Sequence, residues 1–435
     1  MMQEKEILAL ARRRADRAEV YAEETDRTTV EFRAGRFHSQ ESRLALGHGL
    51  RVVKDGRVGF SSSTDPERLD QLVDAAVETA RYGRECRFRF PHAAEGPAVR
   101  TFDNRVMLVT ATRLREWGED LVRAMRARVK DLKLDLTFRR TYVETVVANT
   151  EGLAVGFQRA ALELDVSGLV VDDGLVWLPG YVNLSNGEPF NLEPLCDQLE
   201  NLARQARERA RLASGTWPVI VMPPALAELL GPLFAGVNGR MKEKGTSPLV
   251  GREGEPVIGA SLTVVDNPLR DHATGSSRFD GEGLPCRRNV LFERGAFCGF
   301  LHDLSTAAAC DDEPTGSARR GYASPPFPAI TNLEILPGDT TFEKAVAEME
   351  QGLVVYQLTG GGQSNMLAGE VAVNCSTALK VEAGKVVGRV KGAMLAGNIY
   401  ELLKTVDRVG AVQQDLGDSF LPFLRFPALK TATGD

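Results

Sequence analysis

The side chains that could bind a catalytic metal are few and scattered in this 435-residue sequence. A zinc hydrolase needs three protein ligands and an open position for water, and the commonest arrangement sets two histidines one helical turn apart. No histidine pair here has that spacing, and no two cysteines form a Cys-x-x-Cys motif. The residues concerned are His38, His48, His92, His272 and His302, with Cys86, Cys196, Cys286, Cys298, Cys310 and Cys375. The pattern predicts no metal site in this chain, and reduced thiols as expected in the cytoplasm.

One short pair of candidate ligands, Cys298 and His302, requires separate consideration. Cys286 and Cys310 each lie twelve residues from Cys298, a regular spacing that is compatible with metal binding. However, Gly299 and the apolar neighbours fit a hairpin in which Cys298 is a small buried residue. We favour the hairpin over the metal.

Two adjacent guanidinium groups lie in the segment Pro314-Thr-Gly-Ser-Ala-Arg-Arg-Gly-Tyr322, which has the composition of a loop. Arginine grips carboxylates through paired N–H donors, so Arg319 and Arg320 are suited to binding a peptide terminus. The alternative is that both make internal ion pairs, for example with the acidic residues at 311–313. Loops carry both functional residues and solvated charge, so the sequence leaves these two interpretations open.

A glycine-rich run, Thr359-Gly-Gly-Gly-Gln-Ser-Asn365, is the second candidate for ligand contact. Consecutive glycines let backbone N–H groups approach an anion or another backbone closely. No Gly-Lys-Ser or Gly-Lys-Thr follows, so a nucleotide phosphate site is disfavoured. We expect a sharp turn beside a peptide or a partner backbone, with a plain structural turn as the alternative. The peptide-contacting candidates in this run are Gly360, Gly361, Gly362, Gln363, Ser364 and Asn365.

The bulk composition argues against several other classes of function. A net charge of −6 with both signs interspersed disfavours a nucleic-acid or anionic-membrane surface. No stretch of about 18 apolar residues could span a bilayer, and the charged N-terminus lacks the apolar run of a signal peptide. No Gly-x-Ser-x-Gly motif supports a serine hydrolase, and the lone carboxylates Glu228, Asp280 and Glu282 are expected to be structural. We predict a cytoplasmic protein without nucleic-acid or membrane partners.

The elements that would position these residues fall into two groups, of which the first mixes helices and strands. Helical periodicity indicates helices near 3–14, 65–82, 111–129 and 192–212. Strand-like alternation marks 19–22 and 29–32, and Asp55-Gly56 is typical of a hairpin turn. Residues 88–106 lack periodicity and contain two prolines, which is typical of a connection.

The second group is rich in short strand pairs around glycine turns, for example at Arg294-Gly295 and near Gly384. A buried strand is indicated at 217–222 and a helix near 342–350. Because strands dominate here and no βαβ unit with a glycine fingerprint occurs, the predicted class is α+β and not a doubly wound nucleotide fold. We expect a mixed helix and sheet domain at 1–215 and a sheet-dominated, barrel-like domain at 216–435.

Short segments with a distinctive order lie along nearly the whole chain. The first group contains Ala18-Glu-Val-Tyr21, Gly49-Leu-Arg-Val52 and Asp55-Gly-Arg-Val-Gly-Phe60. The second group contains Gly245-Thr-Ser-Pro248, Asp280-Gly-Glu-Gly283, Arg288-Asn-Val290, Pro314-Thr-Gly316 with Arg319-Arg320, Thr331-Asn332, and Gly392-Ala-Met-Leu-Ala-Gly-Asn398. In their order, the two groups resemble the opening domain and the C-terminal domain of the TldD/PmbA peptidase family, once called modulators of DNA gyrase.

The two kinds of chain in that family differ at the zinc site. TldD-like chains carry a His-Glu-x-x-x-His helix and a late zinc-binding cysteine, whereas PmbA/TldE-like chains lack both. Here the corresponding segment reads Pro224-Ala-Leu-Ala-Glu-Leu-Leu-Gly-Pro-Leu-Phe-Ala-Gly-Val-Asn238, and no cysteine follows Cys375. The resemblance implies a PmbA/TldE-like chain with no zinc and no catalytic residue of its own. Two segments, 245–248 and 314–316, are shared with TldD-like chains, so the chain is not typical of either kind.

By resemblance, the expected function is that of the non-catalytic subunit of a heterodimeric TldD/TldE-type zinc metallopeptidase that degrades or processes unfolded or precursor peptides. A TldD-like partner would supply the zinc and the catalytic residues, and this chain would close a shared cavity around the peptide. An extended peptide can be held by hydrogen bonds to a sheet edge with little sequence preference. The alternative is a homodimeric peptide-binding or scaffold protein without peptidase activity.

Overall fold

The structure is a computed structural model that describes residues 2–93, 95–171, 175–360 and 365–434. The helices in these residues are α1 (Met2–Ala11), α2 (Leu69–Ala80), α3 (Asn104–Met107), α4 (Ala111–Arg128), α5 (Glu193–Arg207), α6 (Pro223–Leu229), α7 (Gly231–Gly236), α8 (Gly239–Glu243), α9 (Leu304–Cys310), α10 (Phe342–Ala347) and α11 (Ile399–Lys404), with a short 3₁₀ helix at Met366–Ala368. The strands are β1 (Arg17–Arg33), β2 (Arg36–Lys54), β3 (Arg57–Ser63), β4 (Lys133–Asn149), β5 (Ala154–Val171), β6 (Leu175–Asn183), β7 (Gly215–Val221), β8 (Val264–Asp266), β9 (Asn289–Glu293), β10 (Ala296–Phe297), β11 (Ala318–Arg319), β12 (Phe327–Pro328), β13 (Leu333–Ile335), β14 (Gln351–Thr359), β15 (Glu370–Glu382), β16 (Lys385–Arg389), β17 (Met394–Asn398), β18 (Arg408–Val409), β19 (Gln414–Asp415), β20 (Ser419–Leu421) and β21 (Leu424–Ala432).

The first strands of the chain form one antiparallel sheet in the order β3-β2-β1-β4-β5-β6, called the N-terminal sheet below. The central strand β1 pairs along most of its length with β2 on one side and β4 on the other. β2 turns into β3 through Asp55 and Gly56, whose φ angles of 49° and 72° suit a tight hairpin turn. The hairpin predicted from Asp55-Gly56 is therefore confirmed.

The N-terminal sheet has two different faces because successive side chains of a strand point to opposite sides. Val20 and Phe32, at even positions of β1, pack against helices α1, α2, α4 and α5. Tyr21, at an odd position, lies on the other face in a cluster with Val147 of β4 and Tyr322 of the C-terminal half. The face without helices therefore meets the C-terminal loops, whereas the helix-covered side packs against the barrel through Leu379 of β15.

The C-terminal half contains a closed barrel. β14, β7, β21, β17 and β15 pair in that order, and β14 also pairs with β15, which closes a five-stranded cylinder. β7 and β14 run parallel, and the other neighbouring pairs of the barrel are antiparallel. Val219, Leu353, Leu395 and Phe426 belong to the apolar core that the barrel shares with α6, α7 and α11.

A second sheet of short strands, β10-β9-β8-β13-β20-β19, carries the loops that reach the N-terminal sheet. One loop follows β8, and the other lies between β11 and β12, where Tyr322 lies against β2. A Cβ atom on Gly47 of β2 would lie 2.3 Å from the Tyr322 ring. Glycine is needed there because no larger residue permits that approach.

The α+β class predicted from the sequence is confirmed, as are the main helices of both halves. The strands expected at 19–22 and 29–32 are parts of the single strand β1, since the polar stretch between them is also paired on both sides. The expected connection at 88–106 contains the start of the short helix α3. The division into domains at 215 and 216 stays a prediction. Within the described ranges, no helix is both long and apolar enough to cross a bilayer.

Candidate functional site

The two adjacent arginines of the loop motif lie where the C-terminal half meets the N-terminal sheet. Arg319 ends β11, which pairs with β12, and Arg320 follows it. The Ala318 amide donates a hydrogen bond to Asp280 Oδ2 at 3.2 Å, which fixes this loop beside the loop that follows β8. Arg319 and Arg320 both follow this hydrogen bond in the chain, but their side chains have different partners.

Arg320 belongs to a buried chain of charges that joins β1 and β2 to the C-terminal half. Its Nη1 atom lies 2.5 Å from Glu19 Oε1, and Glu19 Oε2 lies 2.9 Å from Arg51 Nη2. Arg51 Nη1 lies 2.6 Å from Glu282 Oε1. All four side chains are at most 4% exposed. We call Glu19, Arg51, Glu282 and Arg320 the ionic network.

Backbone and aromatic contacts add to the ionic network, although Arg51 Nε and the Nε and Nη2 atoms of Arg320 are buried without a hydrogen-bond partner among the described residues. The Leu304 amide donates to Glu282 Oε2 at 2.7 Å, and the Arg51 guanidinium lies 4.9 Å from the centre of the Phe88 ring. Burial raises the pKa of Glu282, and the charge of Arg51 opposes that shift. Because two guanidinium groups face two carboxylates at close range, the network is suited to joining the two halves of the chain.

Internal ion pairing, the alternative left open for the loop motif, therefore occurs for Arg320 with Glu19 as the partner. The acidic residues at 311–313 were the partners expected from sequence proximity, but Asp312 pairs with Lys242 and His302 instead. A peptide contact by Arg320 stays a prediction.

Arg319 borders a cavity of about 210 Å³ between the helix-free face of the N-terminal sheet and the C-terminal loops. The sheet contributes side chains that include Phe157 and Arg159 of β5, and the loops contribute residues from 275–281 and 318–320. We call this space the arginine cavity.

Arg159 and Arg319 bring two positive charges to the arginine cavity. Arg159 Nη1 donates to the Thr274 carbonyl at 2.8 Å, and Arg319 Nη2 donates to the Gly275 carbonyl at 3.4 Å. Among the described residues, neither guanidinium has a carboxylate partner at ion-pair distance. Burial lowers the pKa of Arg159 and the positive charge of Arg319 lowers it further, whereas the charges of Glu23 and Glu163 oppose this shift. The two charges therefore favour an anion in this cavity.

Two carboxylates also line the arginine cavity, but other donors hold them. Glu23 Oε2 accepts the Tyr21 hydroxyl at 2.9 Å. Asp280 Oδ1 accepts the amides of Glu282 and Leu284 at 2.9 and 3.0 Å. Burial raises the pKa of Asp280, and these amides oppose that shift. Because its oxygens bind the loop backbone, Asp280 shapes the cavity wall, which agrees with the structural role expected for it.

Two aromatic rings and a thiol also line the arginine cavity. The rings of Phe157 and Phe279 lie with their centres 6.3 Å apart. Cys286 also lines the cavity, and burial raises the pKa of its thiol well above the ordinary value. A neutral thiol is a poor nucleophile, so the cavity is suited to binding and not to thiolate chemistry.

The loop motif predicts Arg319 as a ligand-binding residue, but nothing in the sequence indicates that Arg159 belongs to the same site. A lone arginine in an alternating strand gives no signal of the face that it occupies. The strand register supplies that information, because Arg159 pairs with Val143 and so shares the face of Tyr21 and Val147. Only knowledge of the pairing of β1, β4 and β5 could have brought the two arginines together.

The glycine-rich run lies apart from the arginine cavity, at the end of the barrel strand β14. Gly360 has a φ of 92°, which favours glycine, and the Asn365 side chain accepts the Ala368 amide at 3.3 Å. Both residues are exposed, and neither lines the cavity. The other predicted contacts, Gly361, Gly362, Gln363 and Ser364, lie outside the described residues. Peptide contact by this run stays a prediction.

The segment that would carry zinc ligands in a TldD-like chain folds here as α6 and α7, directly after β7. Leu226, Leu229 and Leu233 are at most 1% exposed and pack into the barrel core. The carboxylate in this segment, Glu228, is exposed. An apolar helix pair without histidine offers no set of zinc ligands, so these residues do not fit the metal.

A different cluster, His302, Cys310 and Asp312, brings candidate ligand atoms within 4.8 Å of one another. His302 is buried, and its Nε2 atom lies 3.0 Å from Asp312 Oδ2. The Lys242 ammonium lies 2.8 Å from the same Asp312 oxygen and 3.1 Å from Glu253 Oε1. Because a lysine already places positive charge at the carboxylate, this cluster does not fit a metal ion either.

The evenly spaced cysteines of the sequence do not come together. The hairpin expected around residue 294 is confirmed by the pairing of β9 with β10. Cys298 follows this hairpin and is exposed, so the expectation of a buried Cys298 is wrong. The Cys298 amide still donates to the Leu291 carbonyl of β9, and because successive side chains point to opposite sides, Phe297 enters the core and Cys298 faces outwards. Cys286 lies at the arginine cavity and Cys310 at the end of α9.

Comparisons with known proteins agree with this architecture. Two domain models match, the PmbA/TldA metallopeptidase C-terminal domain over residues 214–433 and domain 1 over residues 18–80. A metalloprotease of Methanothermobacter thermautotrophicus is 26% identical over 420 residues, which is 92% of this chain and 88% of that protein. A metalloprotease TldD homolog of Haemophilus influenzae is 27% identical over 305 residues, which is 66% of this chain and 62% of that protein. The crystal structure of TldE from Thermococcus kodakarensis matches with a TM-score of 0.91 at 22% identity, over 99% of this chain and 100% of that one. This chain therefore belongs to the TldD/PmbA family of metallopeptidases.

Proposed function

We propose that this chain is the non-catalytic, TldE-like subunit of a heterodimeric zinc metallopeptidase that degrades or processes unfolded or precursor peptides in the cytoplasm. The observation that carries the proposal is the segment α6–α7, where apolar packing stands in place of histidine ligands. The absence of any cysteine after Cys375 supports the same conclusion. A TldD-like partner would hold the zinc, whose chemistry is to activate water for hydrolysis.

The contribution of this chain would be to hold the peptide. Residues 36–47 of β2 pair with β1 on one side, whereas β3 begins to pair only at His48. In the described part of the chain, no strand covers the other side of residues 36–47. Such an edge offers backbone donors and acceptors to an extended peptide whatever its side chains are. This supports a broad preference for unfolded peptides.

Reconstitution tests the proposal. The chain is purified alone and together with a TldD-like partner, and hydrolysis of a fluorescently labelled unfolded protein such as reduced casein is measured. We expect hydrolysis only when the partner is present, since this chain lacks the zinc ligands. A partner whose His-Glu-x-x-x-His glutamate is replaced by glutamine serves as the control and should leave the mixture inactive. Full hydrolysis by this chain alone would contradict the proposal.

A homodimeric peptide-binding or scaffold protein is the alternative. It would be favoured if the chain forms a dimer, binds unfolded peptide and does not activate any TldD-like chain of its own genome. The gene neighbourhood gives a rapid discriminator. An adjacent gene that encodes His-Glu-x-x-x-His and a late cysteine favours the heterodimer, and a genome without such a gene favours the homodimer.

A further inference from the structure

We propose that the arginine cavity binds the C-terminal carboxylate of a peptide, with Arg159 and Arg319 as the anion-binding residues. The inference rests on the proposed function in one respect, namely that the ligand of this chain is a peptide. The position of the cavity, where the N-terminal sheet meets the C-terminal loops, is a common place for ligands.

The two cavity arginines that form no ion pair with a described residue are the first argument. Each guanidinium carries five N–H donors, and the hydrogen bonds of Arg159 and Arg319 to protein carbonyls use one atom of each. Other arginines close to the core have carboxylate partners. Arg425, for example, is paired with Asp407 and with Glu348, each at 2.8 Å. Two arginines that share one cavity without such partners are costly in the empty protein and become favourable when a carboxylate enters.

The shape and composition of the cavity form the second argument. Its volume of about 210 Å³ is below the roughly 300–1,000 Å³ of sites that enclose a whole drug-sized ligand, so it suits the end of a chain. Phe157 lies two residues from Arg159 on β5, and Phe279 belongs to the loops that carry Arg319, so each wall offers an aromatic ring and a guanidinium group. The last residue of a peptide combines a carboxylate with a side chain, and an apolar side chain can contact the aromatic rings.

The hydroxyl groups of the loop are already used, which leaves the guanidinium groups as the donors for the ligand. Ser276 donates to the Arg270 carbonyl at 2.5 Å and accepts from Asn332 Nδ2 at 2.8 Å. Ser277 donates to the Phe279 carbonyl at 2.6 Å. Recognition therefore depends on charge, and a neutral C-terminal amide lacks the group that the cavity selects.

Calorimetry on the lone chain tests the inference, with N-acetyl-Ala-Ala-Phe as the free acid and as the C-terminal amide. We expect the free acid to bind and the amide to bind at least about tenfold more weakly, in line with a lost charge-assisted interaction. Arg159→Gln and Arg319→Gln should each weaken the free acid at least about tenfold. Arg139→Gln is the matched control, because Arg139 is on the same sheet face but pairs with Asp165 outside the cavity. Thermal unfolding of each variant confirms that it is folded.

Two further ligands distinguish a peptide terminus from other anions. N-acetyl-Ala-Glu-Ala-amide carries its only carboxylate on a side chain, and inorganic phosphate carries no peptide. Binding of either as tightly as the free acid would overturn the assignment, as would equal binding of acid and amide or unchanged affinity in both arginine variants. No partner and no zinc enter this measurement, so its failure leaves the subunit assignment intact. Conversely, peptide binding would persist if the subunit assignment were wrong.

Discussion

The ionic network and the arginine cavity both lie where the helix-free face of the N-terminal sheet meets the C-terminal loops, and they use arginine in opposite ways. In the network, Arg51 and Arg320 each lie within 2.9 Å of a carboxylate oxygen. In the cavity, Arg159 and Arg319 contact only backbone carbonyls through their described hydrogen bonds. Arg319 and Arg320 are neighbours in sequence and both line the cavity, but only Arg320 is paired with a carboxylate, that of Glu19.

Paired arginines in the ionic network contribute to stability, whereas Arg159 and Arg319 in the cavity contribute to ligand binding. A buried charge that has lost its partner is destabilising, so the ionic network must be complete for the two halves of the chain to stay joined. A charge without a partner beside an open cavity costs some stability and provides affinity for an anion. Substitutions in the ionic network should therefore lower the free energy of unfolding, and substitutions of Arg159 or Arg319 should leave it unchanged or raise it. Denaturant unfolding measures both.

The largest effect is expected for Glu19→Gln. Glu19 is fully buried and its two oxygens serve both Arg320 and Arg51, so its neutralisation leaves two buried guanidinium groups undercompensated. We predict a loss of about 3–5 kcal/mol in the free energy of unfolding, measured by urea titration. Glu78→Gln, in the exposed pair with Arg81, is the control and should be close to neutral. A Glu19→Gln protein as stable as the wild type would remove the structural role of the network.

A smaller effect is expected for Arg320→Lys, with Arg319→Lys as its neighbour in the sequence. Lysine keeps the charge but loses the planar fork, and the contact of the Arg320 guanidinium with the Tyr21 ring at 4.8 Å is lost as well. We predict that Arg320→Lys lowers the unfolding free energy by about 1–2 kcal/mol, as for the loss of one charged hydrogen bond. Arg319→Lys should change it little. Equal losses of unfolding free energy in both variants would mean that Arg319 and Arg320 contribute equally to stability, contrary to this prediction.

The smallest effect, of opposite sign, is expected for Arg159→Gln. Removing this charge relieves its repulsion by Arg319 and its partial desolvation, which both lower the pKa of Arg159. We predict an unchanged or slightly increased free energy of unfolding, by up to about 1 kcal/mol, in the absence of any ligand. Urea titration in a buffer without carboxylate or phosphate measures it. A loss above about 2 kcal/mol would assign Arg159 to the structural framework instead.

Local features of the fold could be predicted from the sequence, whereas long-range pairings could not. The Asp55-Gly56 turn and the helix at 69–80 follow from turn chemistry and apolar periodicity, which act over a few residues. The partner of Arg320 is Glu19, three hundred residues away in the chain, and no local pattern marks that contact. Arg159 reaches the cavity only through the register of three strands.

Only the part of the candidate site that depends on local sequence could be predicted. Arg319 was visible as part of a loop motif, and the family resemblance pointed to the segment at 224–238 as the place where zinc ligands are missing. The expectation for Cys298 is wrong because the side of the hairpin that faces the core is not marked in the sequence, and Phe297 occupies that side. The arginine pair was a better guide to the site than the regular spacing of the cysteines, since the three evenly spaced cysteines lie in different places in the fold.

Whether this chain binds zinc by itself can be decided from the zinc content of the isolated protein. The purified protein is incubated with excess zinc, passed through gel filtration, and analysed by mass spectrometry of the metal, with His302→Ala alongside. We expect far less than one zinc per chain in both proteins, because α6 and α7 carry no ligands and Lys242 is paired with the carboxylate of the His302 cluster. One zinc retained per wild-type chain, together with peptide hydrolysis in the absence of a partner, would show that the chain is itself catalytic.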